Sequence, residues 1–65
     1  MQILKGKTYI FIFNINGKYL TYTGKVIDID SDFVSFVDKY NKEFSYALKT
    51  LISKEELKNG DWNKN

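Results

Sequence analysis

The sequence predicts an all-β domain, a small antiparallel barrel of five short strands. The first observation is the Asn16-Gly17 pair between two apolar, β-rich runs. This pair is typical of a two-residue type I′ hairpin turn, because both positions need φ > 0. The second is Gly24 in the middle of a long run, the usual mark of a bend that lets one strand serve two sheets. The third is a series of polar turns that divide the chain into segments of strand length.

Each strand is assigned from an apolar run and the turn that ends it. The first strand covers residues 8–15, with apolar side chains on both faces, and the second covers 18–30 with its bend at Gly24. A tight polar turn at Ser31-Asp32 leads into a third strand at 33–38. The fourth strand covers 43–48, and residues 50–52 are long enough only for a short closing strand.

Two further signals lie in the second half of the chain. Residues 39–42 are predicted to form a second hairpin turn, with Asn41 in the left-handed region. Ser53 followed by Glu56 matches a capping box, which predicts one helical turn over residues 54–58, ended by Asn59-Gly60. Residues 60–65 are predicted to be a flexible tail on a single domain that covers residues 1–65.

Length and composition indicate a domain that needs a partner. A 65-residue chain buries only about 60% of its unfolded surface. The chain has no Cys for a disulfide and no His for a metal site, so two common ways of stabilising a small domain are missing. Five Phe, five Tyr and one Trp supply more aromatic surface than such a monomer readily hides. We therefore expect a homo-oligomer or a ligand-binding face.

The same composition argues against several classes of function. Without His or Cys, and without a Gly-rich phosphate loop, nucleophilic catalysis has no support, so we expect no enzyme and no cofactor. Asp28, Asp30 and Asp32 have the first spacings of a calcium loop, but Phe33 and Lys39 stand where Gly and Glu are required, so no metal site is predicted. No segment resembles a membrane span or a signal peptide, which favours a cytoplasmic protein.

The candidate binding residues are lysines and aromatic side chains near the two predicted hairpin turns. Tyrosines could stack on bases and lysines could meet phosphates, although the formal net charge of +2 is only mildly basic. Cross-strand packing of Tyr and protection of sheet edges by Lys are the alternative explanations. If the two turns lie together, they form one polar, aromatic and cationic cluster. The candidates are Lys18, Tyr19, Tyr22, Lys39, Tyr40, Asn41 and Lys42.

Three stretches resemble the Sm-like branch of the SH3-like small barrels, which includes bacterial RNA chaperones. They are GKYLTYTGKVIDID at residues 17–30, FVSFVD at 33–38 and YALKTLIS at 46–53, within a resemblance over residues 9–53. The N-terminal helix of that family is missing, and Leu48-Lys49-Thr50 replaces its basic motif. The resemblance implies a ring-forming barrel that binds single-stranded RNA.

Two other functions stay open from the sequence. Small phage-encoded barrels that block host defence are similar at this level, so the chain could sequester a nucleotide signalling molecule or cap a defence protein. It could also be a protein-interaction module that uses an exposed sheet edge or Trp62.

Overall fold

The computed structural model describes residues 2–58, which form one five-stranded antiparallel sheet. The strands follow the order β4-β3-β2-β1-β5 across the sheet, so consecutive strands are neighbours except for β5, which returns to pair with β1. The all-β prediction is confirmed. In chain order the elements are β1 (Thr8–Ile15), β2 (Lys18–Ile29), β3 (Phe33–Val37), β4 (Glu43–Ala47), a 3₁₀ helix (Leu48–Thr50) and β5 (Leu51–Leu57).

Both predicted hairpin turns are confirmed. Asn16 and Gly17 have φ of 53° and 85°, as a type I′ turn requires, and the Gly17 N–H donates to Asn14 Oδ1 at 3.0 Å. Asn41 has φ of 68°, in the left-handed region that Asn tolerates better than most residues. The first turn fixes the β1–β2 register, in which Ile15 lies opposite Lys18.

Gly24 lies where β2 changes partners. Residues 18–25 of β2 pair with β1, and from Lys25 onward β2 pairs with β3. A Cβ on the buried Gly24 would collide with the Phe36 ring and would lie 2.9 Å from the carbonyl oxygen of Val37. Glycine is therefore required by a close approach of β3, which is the role that the sequence predicted for this position.

Aromatic side chains pack against one another across the inner face of the sheet. The core consists of Tyr9, Phe11, Phe13, Val26, Val34 and Phe36. The rings of Phe13 on β1 and Tyr46 on β4 stack with their centroids 4.7 Å apart, although β2 and β3 lie between these strands in the sheet order. Such a contact requires the sheet to curl so that its inner face meets itself. The sheet order leaves β4 and β5 as its two edges.

The predicted helical turn over residues 54–58 is wrong, because β5 continues to Leu57 and the 3₁₀ helix lies earlier, at Leu48–Thr50. Ser53 and Glu56 lie opposite Ile12 and Tyr9 of β1, and this ladder satisfies more backbone groups than one helical turn would. In the structure, the third and fourth strands end one residue before their predicted ends, at Val37 and Ala47. The proposed helix stop at 59–60, the tail at 60–65 and Trp62 lie outside the described residues.

The segment before β1 covers one side of β2. The N–H of Gly6 donates to the carbonyl of Val26 at 2.9 Å, and the N–H of Val26 donates to the carbonyl of Lys7 at 2.9 Å. The Tyr9 hydroxyl, on the buried ring, accepts from the N–H of Leu4 at 2.9 Å. Within residues 2–58, no helix has the length and apolar character needed to cross a membrane.

Candidate functional site

The β3–β4 turn is held by Asp38. Its Oδ1 atom accepts the backbone N–H groups of Tyr40 and Lys42, each at 2.9 Å. Its backbone N–H donates to the carbonyl of Lys42 at 3.0 Å, and its carbonyl accepts from Asn41 at 2.9 Å. Four hydrogen bonds to one residue fix the path of the turn, and the side chains of residues 39–42 are all exposed as a result.

The exposed side chains of this turn, Lys39, Tyr40, Asn41 and Lys42, form a group that we call the turn cluster. The Tyr40 ring is 79% exposed, and the Lys39 ammonium nitrogen lies 5.5 Å from its centroid. A cleft of about 220 Å³ adjoins the cluster and is lined by Thr23, Asp38, Lys39 and Tyr40. The Lys42 ammonium nitrogen lies 5.6 Å from the centroid of the Phe44 ring, so the cleft itself offers one aromatic face and one cation, and Lys42 adds a second cation at the end of the turn.

Lys18 and Tyr19 form a second exposed pair, at the β1–β2 turn, where the Tyr19 ring is 69% exposed. The register separates this pair from the turn cluster. The cleft of the turn cluster borders Thr23, four residues along β2 from Tyr19, which is about 13 Å at the rise of an extended strand. The seven candidate residues therefore do not meet in one cluster, although Tyr19 and Thr23 share the outer face of β2.

Tyr22 belongs to the interior and not to an exposed stacking surface. Its ring packs on Phe44 with the centroids 4.8 Å apart, and its hydroxyl lies 2.7 Å from the Tyr46 hydroxyl. The hydrogen bond to Tyr22, together with burial and the charge of Tyr22, raises the pKa of Tyr46 to about 12. The packing explanation therefore fits Tyr22, as it fits the buried Tyr9.

Asp30 and Asp32 lie at the other end of β3, and Asp30 stabilises the turn that precedes this strand. Asp30 Oδ1 accepts the N–H groups of Phe33 and Asp32, each at 2.8 Å, and these bonds lower the pKa of Asp30 because they favour its charged form. Phe33 beside them is 51% exposed. Among residues 2–58, no three carboxylates are grouped so that they could hold a metal ion.

Sequence reasoning missed two parts of the site. Thr23 and Asp38 form walls of the cleft, yet Thr23 has neither a charge nor a ring, and the negative charge of Asp38 does not suggest a site for a phosphate-bearing ligand. For Asp38, an Asp two residues before the exposed Tyr was a usable signal, because Asp side chains commonly accept N–H groups of the turn that follows. For Thr23, only the short pairing of β3 with β2 explains its position.

Comparisons of the chain with protein-family models, with curated proteins and with solved structures give no match.

Proposed function

We propose that this protein is a non-catalytic, cytoplasmic module that binds a nucleotide-containing ligand, with single-stranded RNA as the leading form. One observation carries the proposal: Tyr40 is almost fully exposed between Lys39 and Lys42 on a turn that Asp38 holds in place. An exposed tyrosine gains nothing from the core, and the backbone that carries it is held by Asp38, so its ring is available to stack on a base. A base stacked on an aromatic side chain contributes about 1–3 kcal/mol.

Preorganisation strengthens the argument for the turn cluster. A ligand that meets Tyr40 does not have to order the backbone of the turn, because Asp38 has already done so. The ammonium groups of Lys39 and Lys42 can then approach the phosphates on either side of a stacked base. Ligand binding would orient side chains only.

The second exposed pair favours a polymer over a single nucleotide. Lys18 and Tyr19 repeat the combination of a cation and an exposed ring, about 13 Å along β2 from Thr23 by the rise of the strand. Between them the outer face of β2 carries Thr21, a small polar residue that obstructs neither stacking nor backbone contact. A single strand could follow this face from one ring to the other.

The decisive experiment is a titration with oligouridylates of increasing length at several salt concentrations. We expect affinity to rise with length until both rings are covered, and to fall linearly with salt on logarithmic axes. Lys39→Ala and Lys42→Ala should each reduce the salt slope by about one phosphate, and Tyr40→Ala should weaken binding at every salt concentration. Lys49→Ala, an exposed lysine in the 3₁₀ helix near the aspartates, is the matched control and should leave the slope unchanged.

Different results would contradict the proposal in different ways. Saturable binding of a mononucleotide or dinucleotide, with no gain from longer strands, would replace RNA by a small sequestered nucleotide. If Lys49→Ala and Lys39→Ala reduce the salt slope equally, the lysines act through the overall charge of the protein and not through a binding site. If none of these ligands binds, the nucleotide proposal is wrong.

A further inference from the structure

Within the part of the chain that the structure describes, residues 2–58, the first half of β2 has a free backbone edge. In a two-residue hairpin the residues that flank the turn form a hydrogen-bonded pair, here Ile15 and Lys18, and such pairs alternate along the ladder. The N–H and C=O groups of Lys18, Leu20 and Tyr22 therefore face β1. The N–H and C=O groups of Tyr19, Thr21 and Thr23, which alternate with these residues, point away from β1. They face the side that β3 occupies farther along β2.

Two contacts confirm this alternation. Val26, in phase with Leu20 and Tyr22, bonds to Gly6 and Lys7, and Lys25, in phase with Thr21 and Thr23, lies opposite Val37 of β3. β3 ends at Val37, and the chain then turns back through Asp38. Within residues 2–58, the N–H and C=O groups of Tyr19, Thr21 and Thr23 make no backbone hydrogen bond on this side.

This edge lacks the protection that β5 and the second half of β2 have, and the β4 edge has a single charge, at Glu43. The second half of β2 is covered by Gly6 and Lys7, and β5 carries charge at each of residues 54–56. Charged side chains and covering segments are the usual ways in which proteins prevent strand pairing at an edge. Residues 19–23 contain no charge and no proline, and three of them are Tyr or Leu. An unprotected edge on a small domain favours pairing with another strand.

We propose that a second copy of this chain occupies the edge, antiparallel, about a two-fold axis at Thr21. Thr21 then lies opposite the partner's Thr21, and Tyr19 lies opposite the partner's Thr23. Each of these pairs exchanges two backbone hydrogen bonds, and the two sheets join into one. A strand that presents its donors and acceptors symmetrically about one residue is self-complementary, as a two-fold interface requires.

The side chains support a second copy over an unrelated strand. Tyr19 is 69% exposed, and four residues away the same edge carries the cleft lined by Thr23, Asp38, Lys39 and Tyr40. The two-fold axis brings the partner's Tyr19 opposite Thr23, at the mouth of this cleft. A projecting ring and a cleft of about 220 Å³ on one edge, each placed to meet the other on a second copy, form a reciprocal pair.

This inference goes beyond the proposed nucleotide function and can fail separately. It assigns Tyr19 to the interface, so the dimer and a strand that runs from Tyr40 to Tyr19 exclude each other. The dimer leaves only the turn cluster of each subunit to bind nucleotides, with the partner's Tyr19 at the mouth of the adjoining cleft. A dimer that forms without ligand would support the interface whether or not RNA binds.

The first test is a cysteine cross-link, which is clean because the chain has no native Cys. In a hydrogen-bonded antiparallel pair the Cα atoms lie about 5.5 Å apart, within the ~4.4–6.8 Å that a disulfide spans. Thr21→Cys should give a covalent dimer under mild oxidation. Thr23→Cys should not, because two copies of residue 23 would lie about 13 Å apart along the paired strands. Ser45→Cys on the β4 edge is the control for pairing elsewhere, and it should also stay monomeric.

The second test removes one donor without touching the β1–β2 ladder. Thr21→Pro deletes an N–H that points away from β1, which an edge position tolerates, whereas Thr21→Val keeps it. By sedimentation at micromolar concentration, the wild type and Thr21→Val should be dimeric, and the dissociation constant of Thr21→Pro should rise at least tenfold. Circular dichroism checks the fold of each variant, and the cross-link decides if Thr21→Pro does not fold. A monomeric wild type at all concentrations, or preferential cross-linking through Ser45→Cys, would overturn the proposal.

Discussion

Replacing Gly24 by Ala tests the packing on which the curled sheet depends. The added Cβ would collide with the ring of Phe36 and would lie 2.9 Å from the carbonyl oxygen of Val37. Neither neighbour can move freely, because Phe36 is fully buried among other rings and Val37 is paired with Lys25 of β2. We expect Gly24→Ala to destabilise the protein by forcing β3 away from β2.

The size of the effect follows from two opposing terms. Overpacking a filled core costs about 1–3 kcal/mol. Alanine restricts the unfolded chain and suits a strand better than glycine, which returns about 0.5–1 kcal/mol. The expected net loss in the free energy of unfolding is therefore about 1–2 kcal/mol, which in a domain of this size lowers Tm by roughly 4–16 °C.

Urea unfolding followed by circular dichroism measures this loss directly. Lys25→Ala is the matched control, since Lys25 is exposed on the same strand and its truncation should change the free energy of unfolding by less than about 0.5 kcal/mol. In a Phe36→Leu background the ring that blocks the new methyl group is gone, so Gly24→Ala should cost less there than in the wild type. If Gly24→Ala is as stable as Lys25→Ala, the close approach of β3 at this position is not what requires glycine.

Three further predictions concern other parts of the fold. Gly17→Val should cost about 1–3 kcal/mol in urea unfolding through backbone strain alone, because φ is 85° and a Cβ there meets no atom within 4 Å. The folded pKa of Tyr46, about 12, exceeds its ordinary value of 10.0, so its contribution to stability is present below pH 10 and lost as pH rises toward 12; Tyr22→Phe should lower that pKa in a phenolate absorbance titration. The pKa of Asp30 is lowered in the fold, so its contribution is present above pH 3.8 and lost on acidification below that, and acid unfolding of Asp30→Asn should lack this component.

Local signals predicted the fold well wherever the backbone conformation depends on one or two residues. Asn16, Gly17 and Asn41 have positive φ, which few other residue types adopt without strain. Their positions in the sequence therefore mark the turns. Gly24 was equally informative, since a glycine inside a strand usually marks a close approach or a bulge. These four residues mark two hairpin turns and the point at which β2 changes partners.

The capping box failed because it describes only local interactions. Ser53 and Glu56 could begin a helix, but a single helical turn satisfies few backbone groups, whereas β5 pairs with β1 along most of its length. The long-range partner is invisible in the sequence of residues 53–58. The prediction that Tyr22 belongs to the binding site was wrong for a related reason. The alternation of β2 could be predicted from the sequence, but the inward contact of Tyr22 with Tyr46 depends on how the sheet curls.

The sequence predicted which residue types form the candidate site, but not where they lie relative to one another. Lys39, Tyr40 and Lys42 follow from the turn composition, and the structure places them on one exposed turn. Their separation from Lys18 and Tyr19 depends on the register of β3 against β2, which no local pattern reveals. Register is a property of two strands, and one segment cannot specify it alone.

The mismatch in strand length connects the fold to both proposals. β2 has 12 residues, whereas β3 has five and pairs with β2 only from Lys25 onward. The β3–β4 turn therefore falls beside Thr23 instead of at the β1–β2 turn, which creates the cleft next to Tyr40. Among residues 2–58, the same early ending of β3 leaves the backbone of residues 19–23 without a neighbour on that side. A β3 longer by six residues would lie alongside that edge and fill the cleft, so the nucleotide site and the dimer edge have one structural cause.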